Sequence, residues 1–356
     1  MIPGNLSRAE RALVVIALFF IVVLAIKAAE YIVSLFLVSL VLALLAFPAL
    51  QWLKARGFSD LSATLLITVL SCLAILAIAI LTAFSFSTLV SDIPQYQTEL
   101  NARLAEISGI LAAHGIAGPA SQLSFSIADV VTMGLSGAMS IADALVFLFF
   151  VGATTFFLLL EAPRLLLRLE GSLGKDSATL RNLSRMTGYV IDFMVVRTET
   201  NFIHGVLFGG FLGLLGVHGA ILWGTLTFLL GYIPYFGLVL AALPALFFAW
   251  LQFGLPGVAA VIAAVCILNL IVENPVYSYL AARKFEIPPL VVLLSVIFWG
   301  WLLGLAGMLF AIPFTLLLFL AFEDSGDLRW INGIVGAGHL FVEDDRESEA
   351  GENGPS

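Results

Sequence analysis

The sequence predicts an all-α, polytopic membrane protein, and three observations carry that prediction. Of its 356 residues 61% are hydrophobic and only 11% charged, and the mean hydropathy is +1.08. A soluble domain carries about 25% charged residues, so this chain lacks the polar material to coat a water-facing globule, and lipid must solvate much of its surface. The apolar residues also run in long unbroken stretches, not in the roughly ten-residue apolar/polar alternation of a membrane β-barrel.

The net charge of −8 is a poor guide to partners, because much of it lies at the end of the chain. There Glu343, Asp344, Asp345, Glu347, Glu349 and Glu352 face only Arg346, as expected of a solvated, disordered tail. No basic patch interleaved with aromatics points to nucleic acid. Cys72 and Cys266 each lie in an apolar run without metal spacing and read as small core residues.

Taken in order, Arg8 and Arg11 precede the apolar stretch from Ala12 to Ile26, and a second stretch, Tyr31 to Leu50, follows almost at once. The proximity of the two argues against a cleaved signal peptide. Lys27 and Glu30 lie between them, one turn apart, placed to pair or to snorkel. Pro48 closes the second stretch, ahead of Lys54 and Arg56. The run Leu61–Leu89 is long enough to span with tilt. Polar residues, Gly and Pro then increase from Ser91 to Ser140. Within this region Ile93, Tyr96, Leu100, Leu104, Ile107 and Leu111 form one helical stripe, with Asp92 and Pro94 at its start. That helix is expected to lie on the membrane or pack on a neighbouring subunit.

A fourth span, Ile141–Leu160, leads into a basic loop with Arg164, Arg168, Lys175, Arg181, Arg185 and Arg197. By the positive-inside rule the loop is cytoplasmic, as are Lys54/Arg56, Arg283/Lys284 and both termini. Runs at 202–222, 223–253, 257–280 and 289–322 follow, interrupted by Gly and Pro. Two of them are expected to fold back as helical hairpins. The breaks fall around Pro234, Gly237 and Pro244 in one, and around Gly300, Gly304, Gly307 and Pro313 in the other. The segment Leu240–Leu246 resembles Leu309–Thr315, each preceded by a glycine (Gly237, Gly307), which suggests an inverted repeat of the kind transporters use. The segments are thus 1–90 (helices one to three), 91–140 (extracytoplasmic), 141–200 (fourth span and basic loop), 201–322 (transport domain) and 323–356 (acidic cytoplasmic tail).

Ionisable groups inside a membrane cost several kcal/mol and default to function. Glu273 stands out, one turn from Asn269 and beside Asn274 and Pro275. Pro275 deprives the Ile271 carbonyl of its partner, so carboxylate, amide and freed carbonyl together could bind a cation or proton, or equally clamp two helices. Arg197–Asn201, with Glu199, and His204 one turn on form a second cluster near a boundary. His218 and Trp223 are expected at the outer interface, where amphipathic rings prefer to sit. Gly209/Gly213 and Gly300/Gly304 fit close helix packing. No phosphate-cradling loop, hydrolase motif, metal set or cofactor site is present, so an enzyme is not expected.

The C-terminal half resembles the autoinducer-2 exporter family of bacterial permeases. The resemblance rests on Gly231–Gly237 with Pro244, on Glu273-Asn274-Pro275, on Pro289–Val296, and on Phe298–Gly304 with Gly307 and Ala311–Pro313, in family order. It implies about eight membrane helices in the bacterial inner membrane, a homo-oligomer (a pentamer), and a moving hairpin domain. It also implies export of autoinducer-2 or sodium/proton antiport. Val276–Tyr279 departs from the basic, glycine-containing turn of the family. The expected function is therefore a secondary transporter of a small solute or ion, with a channel and a non-transporting scaffold as rival readings.

Overall fold

The computed structural model describes residues 8–114, 141–174, 177–234, 236–282, 287–325 and 328–336, which are helices joined by short turns. The acidic tail at 343–356, Tyr235, Lys175, Arg283 and Lys284 lie outside the described residues, as does 115–140 of the extracytoplasmic segment. The helices are α1 (Arg8–Ala28), α2 (Glu30–Ala55), α3 (Asp60–Ser91), α4 (Ile93–Ala113), α5 (Ile141–Leu173) and α6 (Ala178–Leu215). They continue with α7 (Ala220–Leu230), α8 (Gly237–Phe253), α9 (Leu255–Ala282), α10 (Pro289–Leu309), α11 (Ala311–Asp324) and α12 (Arg329–Ile334). Five of them (α2, α3, α5, α9 and α10) contain stretches long and apolar enough to cross a bilayer. No strand occurs among the described residues, and the all-α polytopic class stands.

The apolar sequence places its large side chains outward. In α3 the buried positions are Ala63, Thr64, Ile67, Thr68, Ser85 and Leu89, while Leu61, Leu65, Val69, Leu73, Ile80 and Phe84 are exposed. Small and hydroxylated residues inside, with bulky aliphatics outside, is the pattern of a helix solvated by lipid. Several expected boundaries shift. Helix α2 continues through Pro48 to Ala55. Helix α5 runs through Pro163 to Leu173 and α6 begins at Ala178, so much of the basic stretch expected as a loop is helical.

The chain divides into two compact units, 46–156 with 193–279, and 1–45 with 157–192 and 280–356. In the first unit the run 202–222 breaks at Gly216 and Gly219, both at positive φ (80° and 73°), and α7 begins at Ala220. Helix α7 then turns through 231–236 into α8, and the two limbs pack together. At Gly237 a Cβ would collide with the Leu230 carbonyl, so only glycine lets the second limb start so close to the end of the first. With 11 residues, α7 rises about 17 Å, well short of the roughly 30 Å hydrocarbon core. Pro234 lies in the turn, but Pro244 sits inside continuous α8 and does not break it.

Helix α4, expected on the membrane or against a neighbouring subunit, packs much of its stripe within its own unit. Ile93, Tyr96, Leu100 and Leu104 join a core with Trp223, Phe248 and Leu251, whereas Ile107 and Ile110 stay exposed. Arg103 donates from Nε to the Leu251 carbonyl at 3.0 Å and from Nη2 to the Gln252 carbonyl at 3.2 Å. It thereby satisfies orphan carbonyls at the C-terminus of α8 with a favourable charge. Burial, with the Asp92 carboxylate and Glu99 nearby, pushes the Tyr96 phenol up to about 12. Trp223, expected at the outer interface, packs into the same core. It is 5% exposed, stacks on Phe248, and donates to the His218 carbonyl at 2.8 Å.

In the other unit Lys27 pairs with Glu30 at 2.7 Å across the α1–α2 junction. Helix α10 breaks at Gly304 (φ 62°, ψ −145°). Its first limb, Pro289–Leu303, rises about 22 Å before the chain turns and packs back as α11. A Cβ at Gly307 would collide with the Trp299 carbonyl, the same device as at Gly237. Gly300 lies under Met308 within the limb, and Pro313 falls in the first turn of α11, so neither is a break. The Leu303 carbonyl, freed by the break, accepts from Ser34 Oγ at 3.5 Å.

Candidate solute site

Helix α6 positions Arg197, Asn201 and His204 at i, i+4 and i+7, one face of one helix. Helix α9 positions Asn269 and Glu273 at i and i+4. Together with Thr227, Gly231 and Ile233 of α7 and its turn, these residues line a cavity of about 270 Å³. That is near the lower bound of roughly 300 Å³ for ligand pockets, the size for a small solute.

The two clusters seen in the sequence are one site. Arg197 Nη1 donates to both carboxylate oxygens of Glu273, at 2.9 and 2.8 Å, and the side chains are only 11% and 15% exposed. One nitrogen thus holds both oxygens, short of the two-nitrogen fork that guanidinium and carboxylate prefer. Arg197 Nε, Asn201 Nδ2 and His204 Nε2 are buried without a hydrogen-bond partner among the described residues. Such groups cost about 1–3 kcal/mol each when left unmet. Gly231 is what lets Asn201 in, since a Cβ there would lie 2.5 Å from Asn201 Oδ1. The hairpin turn is tied to the same helix by Tyr232 Oη, which donates to Thr198 Oγ1 at 2.8 Å.

Of the candidates, Glu273, Asn269 and Asn201 line the cavity, and Asn269 stands on its exposed side. Glu199 is exposed on α6 and does not line it. Asn274 and Pro275 continue α9, and the side chain of Asn274 lies outside the described set. Cys266, expected in the core, is exposed and lines the cavity. Sequence reasoning missed that Arg197 is the partner of Glu273. The available signal was charge balance, since Glu273 is the one charged residue of its apolar helix, and a buried charge requires a partner. Among the described residues no three His, Cys, Asp or Glu side chains gather as metal ligands would.

A further close backbone approach in the unit is also glycine-made, at Gly205 and Gly209 and not at the expected Gly209 and Gly213. A Cβ on Gly205 would meet the Gly224 carbonyl at 2.6 Å, and one on Gly224 the Gly209 Cα at 2.9 Å. This contact locks α7 against the helix bearing Arg197, Asn201 and His204, in the small-xxx-small manner of membrane helices.

Comparison with known proteins agrees with this architecture. Residues 13–325 match the family described as AI-2E family transporter. The chain is 28% identical over 318 residues to the AI-2 transport protein TqsA of Escherichia coli K12, covering 88% of this chain and 92% of that one. It is 30% identical over 333 residues to a Haemophilus influenzae protein named "Putative transport protein", covering 89% and 93%. It is 29% identical over 304 residues to "Putative transport protein YhhT" of Escherichia coli K12, covering 83% and 85%. The chain belongs to the AI-2E family of transporters, as a multi-pass bacterial membrane protein.

Proposed function

We propose that the chain is a secondary transporter of the bacterial inner membrane that carries a small polar solute through the α6–α9 cavity, with Arg197 and Glu273 at the binding site. One observation carries this reading. A buried ion pair and three side chains with unmet nitrogens line a solute-sized space inside helices whose outer faces are apolar. Intramembrane charges facing a cavity mark substrate pathways. The similarity to TqsA, named for AI-2 transport, makes autoinducer-2 the first substrate to assay. A sodium/proton antiporter is less favoured, because a guanidinium at hydrogen-bond distance repels a bare cation from the Glu273 carboxylate. The positive-inside bias favours cytoplasmic termini, and the family resemblance a homo-oligomer such as a pentamer.

The test is flux into proteoliposomes of the purified full chain, with sodium and proton gradients imposed separately. Wild type is expected to accumulate autoinducer-2 or another small solute under one gradient. Glu273→Gln is expected to insert but not transport, and a thiol reagent on Cys266 is expected to block wild-type flux. Wild-type flux in Glu273→Gln, or flux indifferent to modification of Cys266, would sink the cavity as the route. Unitary currents in planar bilayers would replace the carrier with a channel.

A further inference from the structure

The chemistry of the unmet atoms narrows the solute class, on the reading that the α6–α9 cavity is the binding site. Arg197 Nε–H and the Asn201 amide N–H groups are donors, and His204 Nε2 joins them as a donor in one tautomer. All three residues are at least nine-tenths buried, at 9%, 2% and 4% exposure, and all line the cavity. They form a row along one helix face, roughly 6 and 10 Å apart by helical rise. A row of donors calls for an acceptor. Glu273, the one carboxylate among the described residues that line the cavity, has both oxygens on Nη1 of Arg197, leaving the Nε edge of the guanidinium unbonded.

We propose that this edge binds a small carboxylate, with Asn201 and His204 donating to its remaining oxygens, and that its entry is linked to uptake of one proton by Glu273. The link is electrostatic. The empty site is neutral, one guanidinium against one carboxylate, and a second carboxylate leaves a buried net charge of −1, which the site meets by taking one proton from water. The charged and titratable groups on the surrounding elements are Arg197 and His204 on α6, Tyr232 on the hairpin turn, and Cys266 and Glu273 on α9. Of these, Glu273 is the one carboxylate, whose protonation offsets the charge of the incoming anion. The balance is one anion and one proton bound together, with no net change in buried charge.

The experiment uses the full chain in phosphatidylcholine nanodiscs, which exclude anionic lipid headgroups as the source of the carboxylate or phosphate. The probes are lactate and its uncharged isostere lactamide. Binding is read by calorimetry in buffers of different ionisation enthalpy, and occupancy by protection of Cys266 from a thiol reagent. Lactate is expected to protect Cys266, to bind with uptake of about one proton, and to lose affinity about tenfold per pH unit where the empty site's carboxylate is ionised. Lactamide is expected not to protect. Glu273→Gln is expected to bind lactate more tightly and without proton uptake. His204→Gln is expected to keep the proton uptake, and Arg197→Gln to lose protection. Equal protection by lactamide, lactate binding without a proton, proton uptake surviving in Glu273→Gln, or lactate binding that leaves Cys266 reactive would each overturn the inference. If lactate fails while modification of Cys266 still blocks flux, the carrier reading survives and only the solute class falls.

Discussion

Consider removal of one partner of the Arg197–Glu273 pair. Unit charges about 4 Å apart attract by roughly 4 kcal/mol at an effective dielectric constant of about 20. Breaking a buried pair from one side typically costs about 3–5 kcal/mol, because the remaining charge is stranded. The two side chains retain 11% and 15% exposure, so some water reaches the stranded group, and the lower figure, about 3 kcal/mol, applies to Glu273→Leu or Arg197→Met alone. At about 2 °C or more per kcal/mol for a long chain, each single variant should lower the apparent Tm by about 6 °C. The double variant strands nothing and should recover most of that loss. The assay is heating in detergent followed by fluorescence-detected size-exclusion chromatography on both single variants and the double. If the double loses as much as the two singles together, the residues are not energetically coupled, and the site loses its electrostatic basis.

Other perturbations have equally direct expectations. Gly237→Ala forces a Cβ into the Leu230 carbonyl, and overpacking of this kind costs about 1–3 kcal/mol. Hairpin mispacking should appear as a lower melting temperature and increased proteolysis near residue 231. Gly224→Ala, pressed between the Gly205 carbonyl and the Gly209 Cα, should cost a similar amount and reduce flux, while Gly109→Ala, which meets nothing within 4 Å, should be neutral in both assays. Arg103→Gln removes two charge-assisted bonds from the end of α8, for about 2 kcal/mol, with only partial rescue by Lys, since an ammonium lacks the fork. Tyr96, held neutral by burial and by Asp92, contributes stability that is intact below its ordinary value of about 10. That contribution fades as pH rises towards about 12. Tyrosinate absorbance in Tyr96→Phe should therefore lack the late, alkaline component of the wild-type titration.

Most of the fold was legible because its signals are local. Apolar length marked the spans, and glycine and proline clusters marked the folding points at 231–237 and 300–307. What the sequence did not give is set by long-range packing. Proline alone does not fix a break: Pro48, Pro163 and Pro244 each lose one backbone bond yet lie inside continuous helices. The chain instead leaves the helix where a positive φ is adopted, as at Gly216, Gly219 and Gly304. Periodicity identified the apolar face of α4 but could not name what covers it, and the answer, α8 and the 216–219 turn, lies more than a hundred residues away. The site was half legible for the same reason. Glu273 and Arg197 were each conspicuous, but 76 residues separate them, and only the fold shows that they share a cavity.

The glycine contact at the tip of the first hairpin has a mechanical consequence. With Gly237 packed so close to the Leu230 carbonyl that a Cβ would not fit, any displacement of α7 would carry α8 with it as one stiff hairpin. Its pivots are the left-handed glycines at its two ends, Gly216 and Gly219 before α7 and Gly254 (φ 67°) after α8. Arg103, gripping the carbonyls beside Gly254, pins the second pivot to α4, so any displacement of the hairpin would be taken up at the first.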